Sequence, residues 1–188
     1  MSNRSSAEQY LLPDGTWADF KTRAIRIEIA DSLPRTAIVR ETRHGPVLSG
    51  DQFGADRITP AGHVTALSWT ALSDEDRTMT ASLAMMRAES IEEGLTLSED
   101  ALAPAQNVAL ADADGVAMVV AGRVPMRSRE SLSQGRVPSS GAHEANDWLG
   151  LAPASTNPRI VRPASGAVAN ANNRTTDQPY PDHLSFDW

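Results

Sequence analysis

The sequence predicts an α+β fold, mostly antiparallel strands with a helical pair between them. Three observations carry this. Ala24-Ile25-Arg26-Ile27-Glu28-Ile29 alternates apolar with polar, the period of a half-buried strand, and Thr36 to Arg40 returns after a turn at Asp31 to Pro34. Met79, Leu83 and Met86 recur at helical spacing, and a second helical stretch begins at Ser90-Ile91-Glu92-Glu93. Asn107 to Ala111 and Val116 to Val120 are apolar runs around Asp112-Ala113-Asp114-Gly115, and Asp-Gly between such runs is a strong hairpin signal.

The remaining elements follow in chain order. Met1 to Gln9 is polar and serine-rich, so residues 1–9 are expected to be a disordered start. Leu12-Pro13-Asp14-Gly15 is a turn. Arg43 to Leu48 is a third extended piece, ended by Ser49-Gly50-Asp51, and Ala66 to Trp69 is a further short strand. Ser73, with Asp76 three residues on, reads as the N-cap of a helix that runs to about Glu89. Gly94 weakens the second helix, since interior glycine costs about 1 kcal/mol against alanine. Ser128 to His143 reads as a long surface loop, Ile160-Val161 and Ala167-Val168 as short strands, and Thr175 to Trp188 as an irregular tail. No repeat or linker divides residues 10–188.

Composition excludes several functions. A net charge of -7 and a pI near 5.0 argue against a nucleic-acid partner. No cysteine is present, so disulfides and thiolate metal sites are excluded. No apolar run spans a bilayer and Met1 to Gln9 has no apolar signal core, so this chain taken alone is expected to be cytoplasmic, with no membrane partner.

Single residues are weak evidence. His44 precedes Gly45-Pro46 and reads as a turn histidine with a hydrogen-bonded ring. His63, His143 and His183 share no metal-ligand spacing. Asp112 and Asp114 flank a turn, which favours turn chemistry over calcium binding. Arg23, Arg26 and Arg40 read as a solvated face.

Several segments together carry more. Tyr10 to Gly15 (YLLPDG), Thr42 to Val47 (TRHGPV), Leu67 to Leu72 (LSWTAL), Gln106-Asn107 through Asp112 to Gly115 (QN and ADADG), Gly122 to Arg127 (GRVPMR), Pro163 to Gly166 (PASG), Ala171 to Arg174 (ANNR), Tyr180-Pro181 and Phe186 to Trp188 occur in one order. This series resembles an internal portion of the large subunit of the penicillin acylase (penicillin amidase) family of N-terminal-nucleophile hydrolases, over Tyr10 to Trp188. No one motif is specific, and the order of all of them makes the match.

The resemblance implies an αββα sandwich and hydrolysis of linear amides, such as β-lactam side chains or acyl-homoserine lactones. In that chemistry the hydroxyl of an N-terminal serine attacks the carbonyl, and its own α-amine serves as base. Fixed donors stabilise the oxyanion, and losing one typically costs roughly 2.7–4 kcal/mol of barrier. By its place in the motif Asn172 resembles the family's oxyanion donor, with Asn173 and Arg174 as supporting neighbours. Read alone, Asn172-Asn173 would be a polar turn. The family carries a structural calcium; its ligands on this stretch would fall near the Pro125 carbonyl and an acid such as Asp182, and this fragment is expected not to bind the ion.

The resemblance also implies what the chain is expected to lack. The nucleophile segment, most calcium carboxylates and the small subunit are not recognisable, and a family arginine would follow Trp188. Removal of Met1 would expose Ser2-Asn3, a family-like start, but Ser2 lies eight positions before Tyr10, too close for the strands that would carry it to the donors. The chain is thus expected to be a fragment, inactive alone. Alternatively it complements a separately encoded nucleophile-bearing piece, or stands alone as an α+β domain in a new role. Partners would be a small amide substrate and the remaining small- and large-subunit segments. Parent enzymes are exported to the periplasm.

Overall fold

Hairpins with local turn chemistry organise the chain. The structure, a computed structural model, describes residues 2, 3 and 6–171. These form two compact units: the described residues among 1–69 with 129–147, and among 70–128 with 148–171.

The first unit contains two three-stranded antiparallel sheets. One orders β1 (Ser2–Asn3), β2 (Ser6–Leu11) and β3 (Trp17–Asp19); the other orders β4 (Lys21–Ile27), β5 (Arg35–Thr42) and β6 (Gly45–Pro46). Residues 1–9, expected as a disordered start, therefore hold strand β1 and part of β2, with Ser2 opposite Tyr10. Backbone pairing is open to any non-proline residue, so serine-rich composition did not prevent it. At the β2–β3 turn Asp14 accepts from the Thr16 amide at 2.9 Å and from its hydroxyl at 2.7 Å, which holds the carboxyl below its ordinary pKa. Gly15 supplies the positive φ, 83°. Phe20 is buried, its ring 5.3 Å from that of Tyr10, and Arg40 stacks 5.1 Å above it. Arg40 is thus a ring contact and not part of a solvated face. The β4–β5 hairpin pairs in register from Lys21↔Glu41 to Ile27↔Arg35, as the alternation predicts. Its apolar row is open, however: Ile27 and Ile29 are exposed, and so is Ile38, opposite Ala24 on the other face.

The second unit packs α1 (Thr78–Met85) and α2 (Ile91–Ser98) with a three-stranded sheet ordered β11-β8-β7. Its strands are β7 (Gln106–Asp112), β8 (Gly115–Ala121) and β11 (Arg159–Val161); β9 (Pro125–Arg127) and β10 (Trp148–Leu151) form a separate pair. The hairpin closes at Asp112↔Gly115, the predicted turn. Strand β8 is central, and Ala117 to Ala121 are all buried. Ile91 and Leu95 of α2 cluster with Ala117 and Val119, while Ala81, Ala101 and Ala121 form a second cluster. A buried Ile or Leu contributes about 1.5–3 kcal/mol and an alanine far less, so α2 anchors more than α1 does.

The helices correct the sequence reading. Ser73 does not cap α1: its hydroxyl accepts from the Glu75 amide at 3.2 Å and closes a turn. The helix begins five residues later, where Asp76 accepts from the Thr78 amide at 2.9 Å. The helical period of Met79, Leu83 and Met86 is right, but that face is exposed, and the small Ala81 faces the core. Ser90 does cap α2, accepting from the Glu93 amide at 3.2 Å. Gly94 also keeps a contact open, because a Cβ there would meet the Leu110 methyls at 3.0 and 3.1 Å. Ala167-Val168 forms no strand, and Ala66 contributes only one bridge, to Val47. Among the described residues no helix is long and apolar enough to cross a membrane.

Candidate functional site

An asparagine that donates to an oxyanion must be fixed before the reaction starts, so the backbone leading to it matters as much as its amide. Asn172, Asn173, Arg174 and Asp182 lie outside the described residues. The run that leads to them, Asn157 to Ala171, is described and is tied to the second unit's sheet at three places.

The first tie is Asn157. It is buried, at 4% exposure, and its Nδ2 donates to the carbonyls of Val120 and Gly122, both at 2.7 Å. It thereby satisfies the end of β8, where Gly122 turns the chain with φ 121°. A Cβ on Gly122 would come within 2.8 Å of the Ala105 backbone, so no other residue fits there.

The second tie is Arg162. Its guanidinium donates to both carboxylate oxygens of Glu92 on α2, and to Asp112 Oδ2 at 2.9 Å. Asp112 also accepts from the Ile91 amide at 3.0 Å and from the Asp114 amide at 2.9 Å. The Ile91 amide holds the Asp112 carboxyl below its ordinary pKa, and the Arg162 hydrogen bond does the same for Glu92. Both carboxylate oxygens of Asp112 are engaged, Oδ1 by the turn, as the turn reading expects, and Oδ2 by the Ile91 amide and Arg162. The third tie is at Asn170, whose Oδ1 accepts from Asn107 Nδ2 on β7 at 3.0 Å.

The other sequence candidates are structural. His44 Nε2 lies 3.1 Å from the Gly141 carbonyl, and its own carbonyl accepts from the Ser68 hydroxyl at 2.8 Å. Its neighbour Arg43 donates to Asp147 Oδ1 at 2.7 Å and to the Gly141 carbonyl at 3.2 Å. The TRHGPV motif is therefore a clamp on residues 141–147. His63 bonds the nearby Ala61 carbonyl at 3.0 Å. Among the described residues no three His, Asp or Glu side chains group as metal ligands. The Pro125 carbonyl accepts from Arg127 Nη1 at 3.1 Å. Asn157, Arg162 and Asn107 gained no role from the sequence, because each acts across 35 or more residues.

Residues 2–188 match the penicillin amidase family. The chain is 33% identical over 179 residues to an acyl-homoserine lactone acylase QuiP of Pseudomonas fluorescens, covering 95% of this chain and 21% of that protein. It is 29% identical to the QuiP of Pseudomonas aeruginosa (98% and 22%) and 30% identical to the penicillin G acylase of Escherichia coli (100% and 21%). The fold superposes on a penicillin G acylase from Alcaligenes faecalis with a TM-score of 0.81 at 24% identity, covering 100% of this chain and 32% of that one. The chain thus spans about a fifth of the length of the curated relatives it matches. With the family matched from residue 2 to residue 188 and the fold shared throughout, the chain belongs to the penicillin amidase family.

Proposed function

We propose that this chain is the oxyanion-donor section of an amidohydrolase that cleaves linear amides by an N-terminal serine mechanism. The serine hydroxyl adds to the carbonyl carbon and passes its proton to the serine's α-amine. The carbonyl electron pair moves to oxygen, where Asn172 Nδ2 donates, with Asn173 and Arg174 in support. Collapse expels the amine, which takes that proton, and water then releases the acid from the acyl-serine. The observation that carries this reading is the ANNR motif within a family match over residues 2–188, following a run tied to the sheet as far as Asn170.

The relatives named above act on penicillin G and acyl-homoserine lactones, which supports an acyl amide of either kind as substrate. The serine is proposed to come from another section of the enzyme, and the 188-residue chain is proposed to be inactive alone. In support, Ser2 is paired with Tyr10 in a strand hairpin. A second reading, a separately encoded module that complements a nucleophile-bearing piece, is favoured by the exposed apolar stripe of Met79, Leu83 and Met86.

The test combines the chain with the nucleophile-bearing remainder of the Pseudomonas fluorescens relative and measures hydrolysis of a phenylacetyl amide and of an acyl-homoserine lactone. Turnover is expected only in the mixture, and Asn172→Ala is expected to lower kcat roughly 10²–10³-fold. Hydrolysis by the chain alone, abolished by Ser2→Ala, would overturn the proposal.

A further inference from the structure

We propose that the outward face of α1, formed by Met79, Leu83 and the capping Met86, docks against an apolar surface of the nucleophile-bearing section of the enzyme. The inference rests on the reading above that this chain is one section of a larger amidohydrolase. The three residues recur at intervals of four and three, so they stand on one side of the helix. Met79 is 74% exposed, Leu83 61% and Met86 82%. The side turned to the core carries Ala81, 3% exposed. The helix thus turns a small apolar side chain to its own unit and presents three large ones outward. Composition separates it from an ordinary surface helix. Charged residues make up 22% of the chain, yet Thr78–Met85 contains none. In the same unit, α2 shows the ordinary pattern: it buries Ile91 and Leu95 and leaves Glu92 and Glu93 exposed. A helix that is apolar on two sides and lacks a charged face is built to be covered on both.

The occupant follows from the chain's share of such an enzyme. It covers 21% of the Pseudomonas fluorescens relative, so about four-fifths of that protein lies outside the matched section. Single apolar residues on a surface need no partner, whereas a contiguous stripe marks an interaction site. Two of the three residues are methionines, which are unbranched, fill irregular gaps and are enriched at the centres of interfaces. A second copy of this chain is disfavoured, because each copy carries a net charge of -7 and the two would repel.

The experiment reads methionine oxidation and association. The 188-residue chain, alone and co-expressed with the nucleophile-bearing remainder of the Pseudomonas fluorescens relative, is treated briefly with hydrogen peroxide. Peptide mass spectrometry then locates the sulfoxides. Met79 and Met86 are expected to oxidise quickly in the chain alone and roughly tenfold more slowly in the assembly. Met118, buried in β8, is the internal control and is expected to react slowly in both. A triple variant, Met79→Glu, Leu83→Lys and Met86→Glu, is expected to unfold in urea as the native chain does, because that face is in water there. Its affinity for the remainder is expected to fall roughly tenfold or more. The oxidation measurement needs no variant and decides alone if the triple variant misfolds. Three results would overturn the inference: a native chain that does not co-purify with the remainder, association unaffected by the triple substitution, or Met79 and Met86 already protected in the chain alone, as self-association would give. The catalytic reading is decided separately. An assembly without turnover, or one that Asn172→Ala leaves fully active, removes the oxyanion role and leaves the docking face. An assembly that depends on Asn172 but forms equally well with the triple variant does the reverse.

Discussion

Replacement of Asn157 by alanine tests how much one buried side chain holds the second unit together. In the native protein its Nδ2 supplies both of its hydrogens, to Val120 O and Gly122 O at 2.7 Å each. Each such bond contributes about 0.5–1.5 kcal/mol net, and a buried acceptor left without a donor costs about 1–3 kcal/mol. Water cannot easily replace the amide at a residue 4% exposed. Alanine should therefore destabilise the unit by about 3 kcal/mol. For a chain of this size that is a fall in Tm of roughly 6–12 °C. Urea unfolding of the purified chain gives the free energy, and a scan gives Tm. Asn157→Asp sharpens the test. At neutral pH a carboxylate carries no donor and sets a charge against two carbonyl oxygens, so it should cost more than alanine. On acidification the carboxyl regains a proton, can donate to one carbonyl, and the gap should close or reverse. A loss below about 1 kcal/mol for alanine, or an aspartate variant insensitive to pH relative to alanine, would refute the account.

Two other perturbations have defined outcomes. Gly94→Ala gains about 1 kcal/mol of helix propensity, but its Cβ meets the Leu110 methyls at 3.0 and 3.1 Å and overpacking costs about 1–3 kcal/mol. Because Leu110 is only partly buried, a net change between zero and about 1 kcal/mol of destabilisation is expected in urea unfolding, and a gain near 1 kcal/mol would show the contact to be absent. The Arg162 clamp should appear as acid sensitivity. Glu92 and Asp112 are held below their ordinary values of 4.5 and 3.8, so their contribution is complete above those values and is lost as pH falls through the lowered ones. Stability measured against pH for the native chain and Arg162→Met should differ most near neutrality and converge in acid; a constant difference would exclude the clamp.

What was legible in the sequence was local. The β7–β8 hairpin is written in Asp112 to Gly115, the β2–β3 turn in Asp14-Gly15, and the α2 cap in Ser90, each within a few residues. The α1 period was legible but not its face, because Ala81 carries too little apolar surface to mark the core against three larger exposed residues. The β9–β10 pair was not legible, since Pro125↔Leu151 joins short strands across a loop with no common pattern. The same holds for the candidate site. The motif names Asn172 as a candidate outside the described residues, and the ties in the run before it are single polar contacts between distant residues; an isolated Asn107 or Arg162 looks like any surface residue until its partner is known.

The Arg43 clamp has a consequence for how the protein comes into being. Arg43 and Asp147 are 104 residues apart, yet both belong to the first unit. A ribosome adding about 5–20 residues per second needs roughly 5–20 s to make that interval. During it the whole of Thr70 to Ser128 emerges, with two helices and a hairpin whose contacts are near in sequence and quick to form. The first strands pair among themselves within residues 2–46, but Arg43 waits for its acid until the helices and the β7–β8 hairpin have already been made.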